Sequence, residues 1–207
     1  MNNQIEKVDA KAKLLDAALT VIRTKGFTAT TVDELCSVAG VSKGAFFHHF
    51  KNKDEFGVAA AEFWTEATAE LYANAPYHKY ADPLDRIIGY LEFRKSLLRD
   101  GGSDFTCLIS TMIQETYETA PAICDACARS IRSHAMTLEA DIKKAMRVYN
   151  ISAEWTAKSL ALHTQAVLQG AFTLAKVKRE RAIAVESVDH LVRYLRLLFK
   201  PKNRCLG

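Results

Sequence analysis

Helix punctuation recurs from one end of this 207-residue chain to the other, and strand-like alternation of apolar and polar residues is nearly absent. Four prolines and nine glycines leave long stretches free of breakers. Asp9–Lys25 carries Leu14, Leu15, Ala18, Leu19 and Ile22 on one face and stops at Gly26. "TVDE" then reads as a capping box, Thr31 with Glu34, opening a short helix that ends at Gly40. Ser42 caps a second short helix, and Asn52 with Glu55 opens a longer one from Lys53 to about Asn74. Asp82-Pro83 starts the next, which runs to about Arg99. Asp104 is expected to cap a helix from Phe105 to about Tyr117, and Pro121 to start one reaching about Tyr149. Ser152 is expected to cap Ala153–Arg179, and a last helix should span about Ala184–Phe199. The expected fold is all-α, with about nine helices and no strand.

Composition narrows the class further. The chain is 49% hydrophobic and 25% charged, as globular proteins are. No apolar run reaches the roughly 18–20 residues that span a bilayer. The first residues, "MNNQIEKVDAKAKLL", lack the apolar core of a signal peptide, so a cytoplasmic protein with no membrane partner is expected. Five cysteines, an odd number without an export signal, argue for reduced thiols. Net charge is +4, and the first 56 residues hold eight basic groups against seven acidic ones. If that region meets a polyanion, charge placement must achieve it, not the total.

Three short helices within about fifty residues, the last two joined by a tight glycine-containing turn, describe a helix-turn-helix. Its last helix enters the major groove by its N-terminal end. In "GVSKGAFFHHF", Lys43 brings charge to that end, and Gly44 and Ala45 let the backbone come close to DNA. Phe46 and Phe50, four apart, can face inward. Phe47, His48 and His49 then lie outward, within reach of bases or the sugar-phosphate backbone. Lys53 can meet a second phosphate, and Thr30 and Thr31 one on the other side. The candidate DNA contacts are these together with Ser42.

The segment "TTVDELCSVAGVSKGAFFHHFKNKDEF" resembles the DNA-binding region of the TetR/AcrR family of transcriptional regulators. The shared pattern is a Gly-Val-Ser/Thr turn, an aromatic-aromatic-His-Phe helix end and a Lys-Asp/Glu pair opening the fourth helix. It covers about Leu14–Phe56, a fifth of the chain. Phe47 stands where the family usually has tyrosine, so one phosphate-touching hydroxyl is missing. The resemblance implies residues 1–52 as a helix-turn-helix domain and 53–207 as a larger effector-binding and dimerisation domain, with helix 53–75 connecting the two. It further implies a homodimer on an inverted repeat of double-stranded DNA, released by a small-molecule effector. Most such proteins are repressors.

The last two helices carry more apolar surface than a one-sided surface helix needs. A four-helix bundle across a two-fold axis would use it. Leu162, Ala166, Gly170, Phe172, Leu191, Leu195 and Leu198 are the candidate interface. For the effector, Phe63, Tyr90, Phe93, Cys107, Thr111, Gln114 and His163 offer apolar walls with a few polar anchors. With Asp104 as cap, Cys107 would fall in the first turn of its helix, where free N–H groups favour thiolate. Some members of the family resemble the stretch around Cys107, Leu108 and Glu115, and among them are sensors of electrophiles or oxidants. That makes a thiol-sensing regulator the alternative reading. Cys124 and Cys127 form C-x-x-C, but a zinc site needs about four ligands, so no metal and no cofactor is expected. Neither a nucleophile-base motif nor a phosphate loop supports a helical enzyme. A protein-only scaffold would leave Lys43, Gly44 and His49 without a role.

Overall fold

The computed structural model of the chain describes residues 2–100 and 106–200. Among them there are nine α-helices and no strand. They are α1 (Asn2–Lys25), α2 (Val32–Ala39), α3 (Lys43–His49), α4 (Lys53–Ala73), α5 (Pro83–Asp100), α6 (Leu108–Thr116), α7 (Pro121–Val148), α8 (Ala157–Lys178) and α9 (Arg181–Leu198). A single 3-10 turn, Pro76–Lys79, follows α4 and was not anticipated from the sequence.

Caps explain most boundaries. Gly40 closes α2 in the left-handed region, φ 64°, which a side chain would oppose, and the Val41 N–H reaches back to the Cys36 carbonyl at 3.0 Å. Asn52 accepts the Glu55 N–H at 2.8 Å while Glu55 accepts the Lys51 N–H at 2.9 Å, fixing the start of α4. Asp82 accepts the Leu84 N–H at 2.7 Å ahead of Pro83.

Several helix starts depart in detail from the expected ones. The box at Thr31 is only half made: Thr31 accepts the Glu34 N–H, but the Glu34 carboxylate turns to Lys25. α8 begins four residues late, because Thr156 and Ser159 cap each other reciprocally at 3.0 Å and Trp155 instead packs on Phe199. α9 begins early, at Arg181, since Arg179 takes the left-handed cap conformation that turns the chain sharply. Asp104 and Phe105 lie outside the described residues. The helix expected there starts at Leu108, with Cys107 at the N-cap position and not within the first turn.

The backbone divides into two compact units, Met1–Glu70 with Thr106–Ile131, and Leu71–Phe105 with Arg132–Gly207. These do not follow the 1–52 and 53–207 division read from the sequence: most of α4, all of α6 and the start of α7 fold with the first three helices.

The first unit has one apolar core. Leu14, Ala18 and Ile22 of α1, Leu35 of α2, Phe46 of α3, Phe56 of α4, Met112 of α6 and Ile123 of α7 are all fully buried. The rings of Phe46, Phe50 and Phe56 meet at centroid distances of 5.1–5.4 Å. Each such ring contributes about 1.5–3 kcal/mol by burial. The second unit mixes apolar and polar groups in its interior. Leu91, Leu168, Ala175, Ala184 and Leu195 are buried, and so are Lys95, Thr164 and Gln165.

Candidate nucleic-acid interface

The buried ring stack of the first unit fixes the exposed side of α3. Phe46 is fully buried and Phe50 nearly so, which turns the intervening residues out. Phe47 is 51% exposed, its ring edge-on to Phe46 at 5.3 Å. Lys43, Gly44 and His48 are exposed, and Ala45 and His49 are half-buried. Ser42 accepts the Ala45 N–H at 3.1 Å, leaving its own O–H to donate elsewhere. Thr31 is exposed and spends only an acceptor lone pair on its cap.

The basic groups are not idle. Lys43 pairs with Asp33 of α2 at 2.8 Å, both well exposed. Lys53 donates to the Thr28 carbonyl at 3.0 Å and lies over the Phe27 ring at 4.7 Å. Partial burial holds its pKa below the usual lysine value, against the pull of Asp54 and Glu115.

Thr30 departs from the expected role. It is 1% exposed and its hydroxyl donates to the Gly26 carbonyl at 2.6 Å, so it pins the turn between α1 and α2 and does not face outward. The same turn is held by Glu115 of α6, which the sequence did not mark as structural. Glu115 accepts the Thr28 N–H at 2.8 Å. Gly26, at φ 97°, leaves the room: a Cβ there would overlap the Glu115 carboxylate.

The seven effector-pocket candidates do not gather in one unit. Phe63, Cys107, Thr111 and Gln114 belong to the first unit, where Gln114 is exposed and bonds Ser110. His163 is exposed on α8, its ring against Tyr194 of α9 at 5.5 Å, and on the helix it lies nearly opposite the buried Gln165. Tyr90 and Phe93 of α5 do lie together, in a cluster within the second unit. The Tyr90 hydroxyl meets His134 Nε2 of α7 at 2.6 Å and accepts from Gln165 Nε2 of α8 at 3.2 Å. Tyr72 packs against Tyr90, Phe93 and His134 with centroids 4.7–5.8 Å apart. The Arg94 guanidinium donates to the Tyr72 hydroxyl at 2.9 Å and lies 5.1 Å over the Phe172 ring. Burial first, then the charge of Arg94, pushes His134 down to about 3, so its imidazole is neutral. Burial raises Tyr77 above the usual phenol value. Lys95 sits nearby in sequence but in a separate ion pair. Burial pulls its pKa down, and Asp189 at 2.7 Å and Glu92 at 2.5 Å outweigh that.

Cys107 is half-buried at the start of α6. Burial pushes Cys127 up to about 12, and Cys107 and Cys124 add to it, so Cys127 is a thiol and not a thiolate near neutrality. Burial likewise raises Cys36. Cys205 lies outside the described residues. No group of three or more possible metal ligands occurs among the described residues, and no helix there is long and apolar enough to cross a membrane.

Part of the expected dimer surface points inward. Phe172, Leu191 and Leu195 are buried within the second unit, and Leu198 is half-buried, because α8 and α9 turn that stripe toward each other. Leu162, Ala166 and Gly170 do face out. The outward face also carries Leu174, Val177, Tyr194 and Leu197, up to 73% exposed at Val177, none of them among the candidate interface residues. A helical-wheel split of each helix into two apolar stripes would have found them.

Comparison with known proteins agrees with this geometry. Residues 14–60 match the model for bacterial regulatory proteins of the tetR family, and residues 83–184 match that for the C-terminal domain of LmrA/YxaF-like transcriptional regulators. The transcriptional regulator AcuR of Cereibacter sphaeroides is 31% identical over 106 residues, 51% of this chain and 48% of that protein. The transcriptional repressor NemR of Escherichia coli is 28% identical over 125 residues, 60% of this chain and 59% of NemR. The chain thus aligns with about half the length of these curated relatives. Among solved structures, a TetR-family regulator from Agrobacterium tumefaciens superposes with a TM-score of 0.81 at 16% identity, covering 91% of this chain and 98% of that one. NemR in its reduced form gives 0.77 at 22% identity, over 93% and 99%. The helix-turn-helix, the all-helical fold and both family matches place this chain in the TetR family of transcriptional regulators.

Proposed function

We propose that the protein is a cytoplasmic repressor that binds an inverted-repeat operator as a homodimer and leaves it when a small-molecule effector binds. The observation that carries the DNA half is the surface of α3. Its tip presents Ser42, Lys43 and Gly44, its outer side presents Phe47 and His48, and buried rings hold it from behind. Phe47 supports apolar contact with a sugar or a thymine methyl. Thr31 and Lys53 support phosphate contacts on either side, with Lys53 first giving up the Thr28 carbonyl. The outward apolar face of α8 and α9 supports pairing of two copies.

The test is binding to inverted-repeat duplexes across a salt series. Affinity should fall steeply as salt rises, because phosphate contacts release counterions. Lys43→Ala should weaken binding to all sequences about equally, with helicity unchanged; unaltered affinity would remove α3 from the interface. A second reading, a thiol-sensing regulator, has one observation in its favour: Cys107 retains exposure beside the inert Cys127. Alkylation should then release operator from the wild type and not from Cys107→Ser. Equal release from both would end that reading.

A further inference from the structure

Glu115 belongs neither to the core of the first unit nor to the outward face of α3, yet it reaches the turn that joins α1 to α2. Its Oε2 accepts the Thr28 N–H at 2.8 Å. Its carboxylate lies against Gly26, where any Cβ would overlap it, so the bare backbone of that glycine forms the slot. Just ahead of α6, the Thr106 hydroxyl donates to the Arg23 carbonyl at 3.2 Å. The α6 segment is thus tied to the end of α1 at two points, and all of these residues lie in the first unit.

Thr28 is held from its other side as well. Its carbonyl accepts from Lys53 Nζ at 3.0 Å, so an anion takes the N–H and a cation the C=O of one exposed residue. The Phe27 ring lies 4.7 Å from the same ammonium. Burial lowers the Lys53 pKa, and Asp54 and then Glu115 oppose it, so the Glu115 charge is felt at the ammonium. A lysine head on a flexible stem loses rotamer freedom when it meets a phosphate. One already resting on a fixed carbonyl loses less, which is how preorganisation raises affinity. The carbonyl is only as fixed as the turn. Within the turn Thr30 bonds Gly26 and Phe27, and Glu115 braces it from α6.

Resting on the DNA-binding reading above, we infer that Glu115 is a positioning residue for DNA. Through Thr28 it holds the Lys53 ammonium in place and so sets a phosphate contact that it does not itself make.

The test is equilibrium binding of the full-length protein to a fluorescein-labelled duplex, the inverted repeat that the wild type enriches from a random-sequence pool. Glu115→Ala should weaken binding about tenfold, the worth of one charged hydrogen bond. It should also make the salt dependence shallower by about one phosphate per subunit. Lys53→Ala should do the same, and the double variant little more than either, because both remove one contact. Glu115→Gln, whose amide oxygen can still accept the Thr28 N–H, should restore the binding that Glu115→Ala loses. A merely structural role gives a different pattern: a smaller active fraction, with the salt slope and the cost of Lys53→Ala unchanged. The inference is overturned if Glu115→Ala binds as the wild type does, if the losses from Glu115→Ala and Lys53→Ala multiply, or if Glu115→Gln is as weak as Glu115→Ala. A wild type that binds no duplex overturns the DNA-binding reading and this inference with it. A wild type that binds while any of those three results is found overturns this inference alone.

Discussion

The two units are built on opposite principles. The interior of the first is almost wholly apolar, and its few buried polar groups are hydroxyls, those of Thr30 and Thr116 bonded to nearby backbone carbonyls. The interior of the second holds a neutral histidine, a tyrosine and a glutamine joined across α5, α7 and α8, and a buried lysine paired separately with Asp189 of α9. An apolar core has one good packing and resists rearrangement. A polar network can exchange partners with a molecule that enters it, and it suffers when a partner is removed. Rigidity suits a surface that must match a repeating duplex; exchange suits recognition of a small molecule.

Four measurements would break or sharpen that contrast. The largest effect belongs to the ring stack: Phe46→Ala should cost about 3–5 kcal/mol, read by thermal or denaturant unfolding. Acid should act next, through His134 of the second unit. His134 binds protons more readily unfolded, at about 6.5, than folded, at about 3. Its contribution is complete above pH 6.5 and is lost as pH falls through that value toward 3, by up to about 1.4 kcal/mol per pH unit. His134→Phe should flatten this acid limb. Gly26→Ala should cost about 1–3 kcal/mol, from strain at positive φ and displacement of Glu115. Glu115→Ala in the same background should recover part of it. Smallest, Tyr90→Phe should cost about 1–2 kcal/mol by leaving His134 and Gln165 without their shared hydroxyl. If Tyr90→Phe proved neutral, the network would be incidental and the contrast would fail.

The part of the molecule legible in sequence was the part written in local chemistry. Gly40, Ser42, Asn52 and Asp82 each set a boundary through contacts within a few residues, and each was found where spacing put it. The inward turn of Phe46 and Phe50 followed from their four-residue interval. What was missed depended on contacts distant along the chain. Glu115 meets Thr28 across 87 positions and Gln165 meets Tyr90 across 75, and no local pattern announces either. Thr30 and Thr31 look alike in sequence, yet one is buried in the turn and the other exposed beside it. On α8 and α9 two apolar stripes share each helix, so apolar content alone did not say which was core.

The pair of Lys43 with Asp33 bears on how long the protein would stay on its operator. In the docking proposed here the ammonium must leave one anion to meet another, and the deserted carboxylate then stands close to the duplex backbone. That repulsion would shorten the lifetime of the complex without altering a single base contact. Position 33 is therefore where dwell time could be retuned, by one charge, while sequence preference stays as it is.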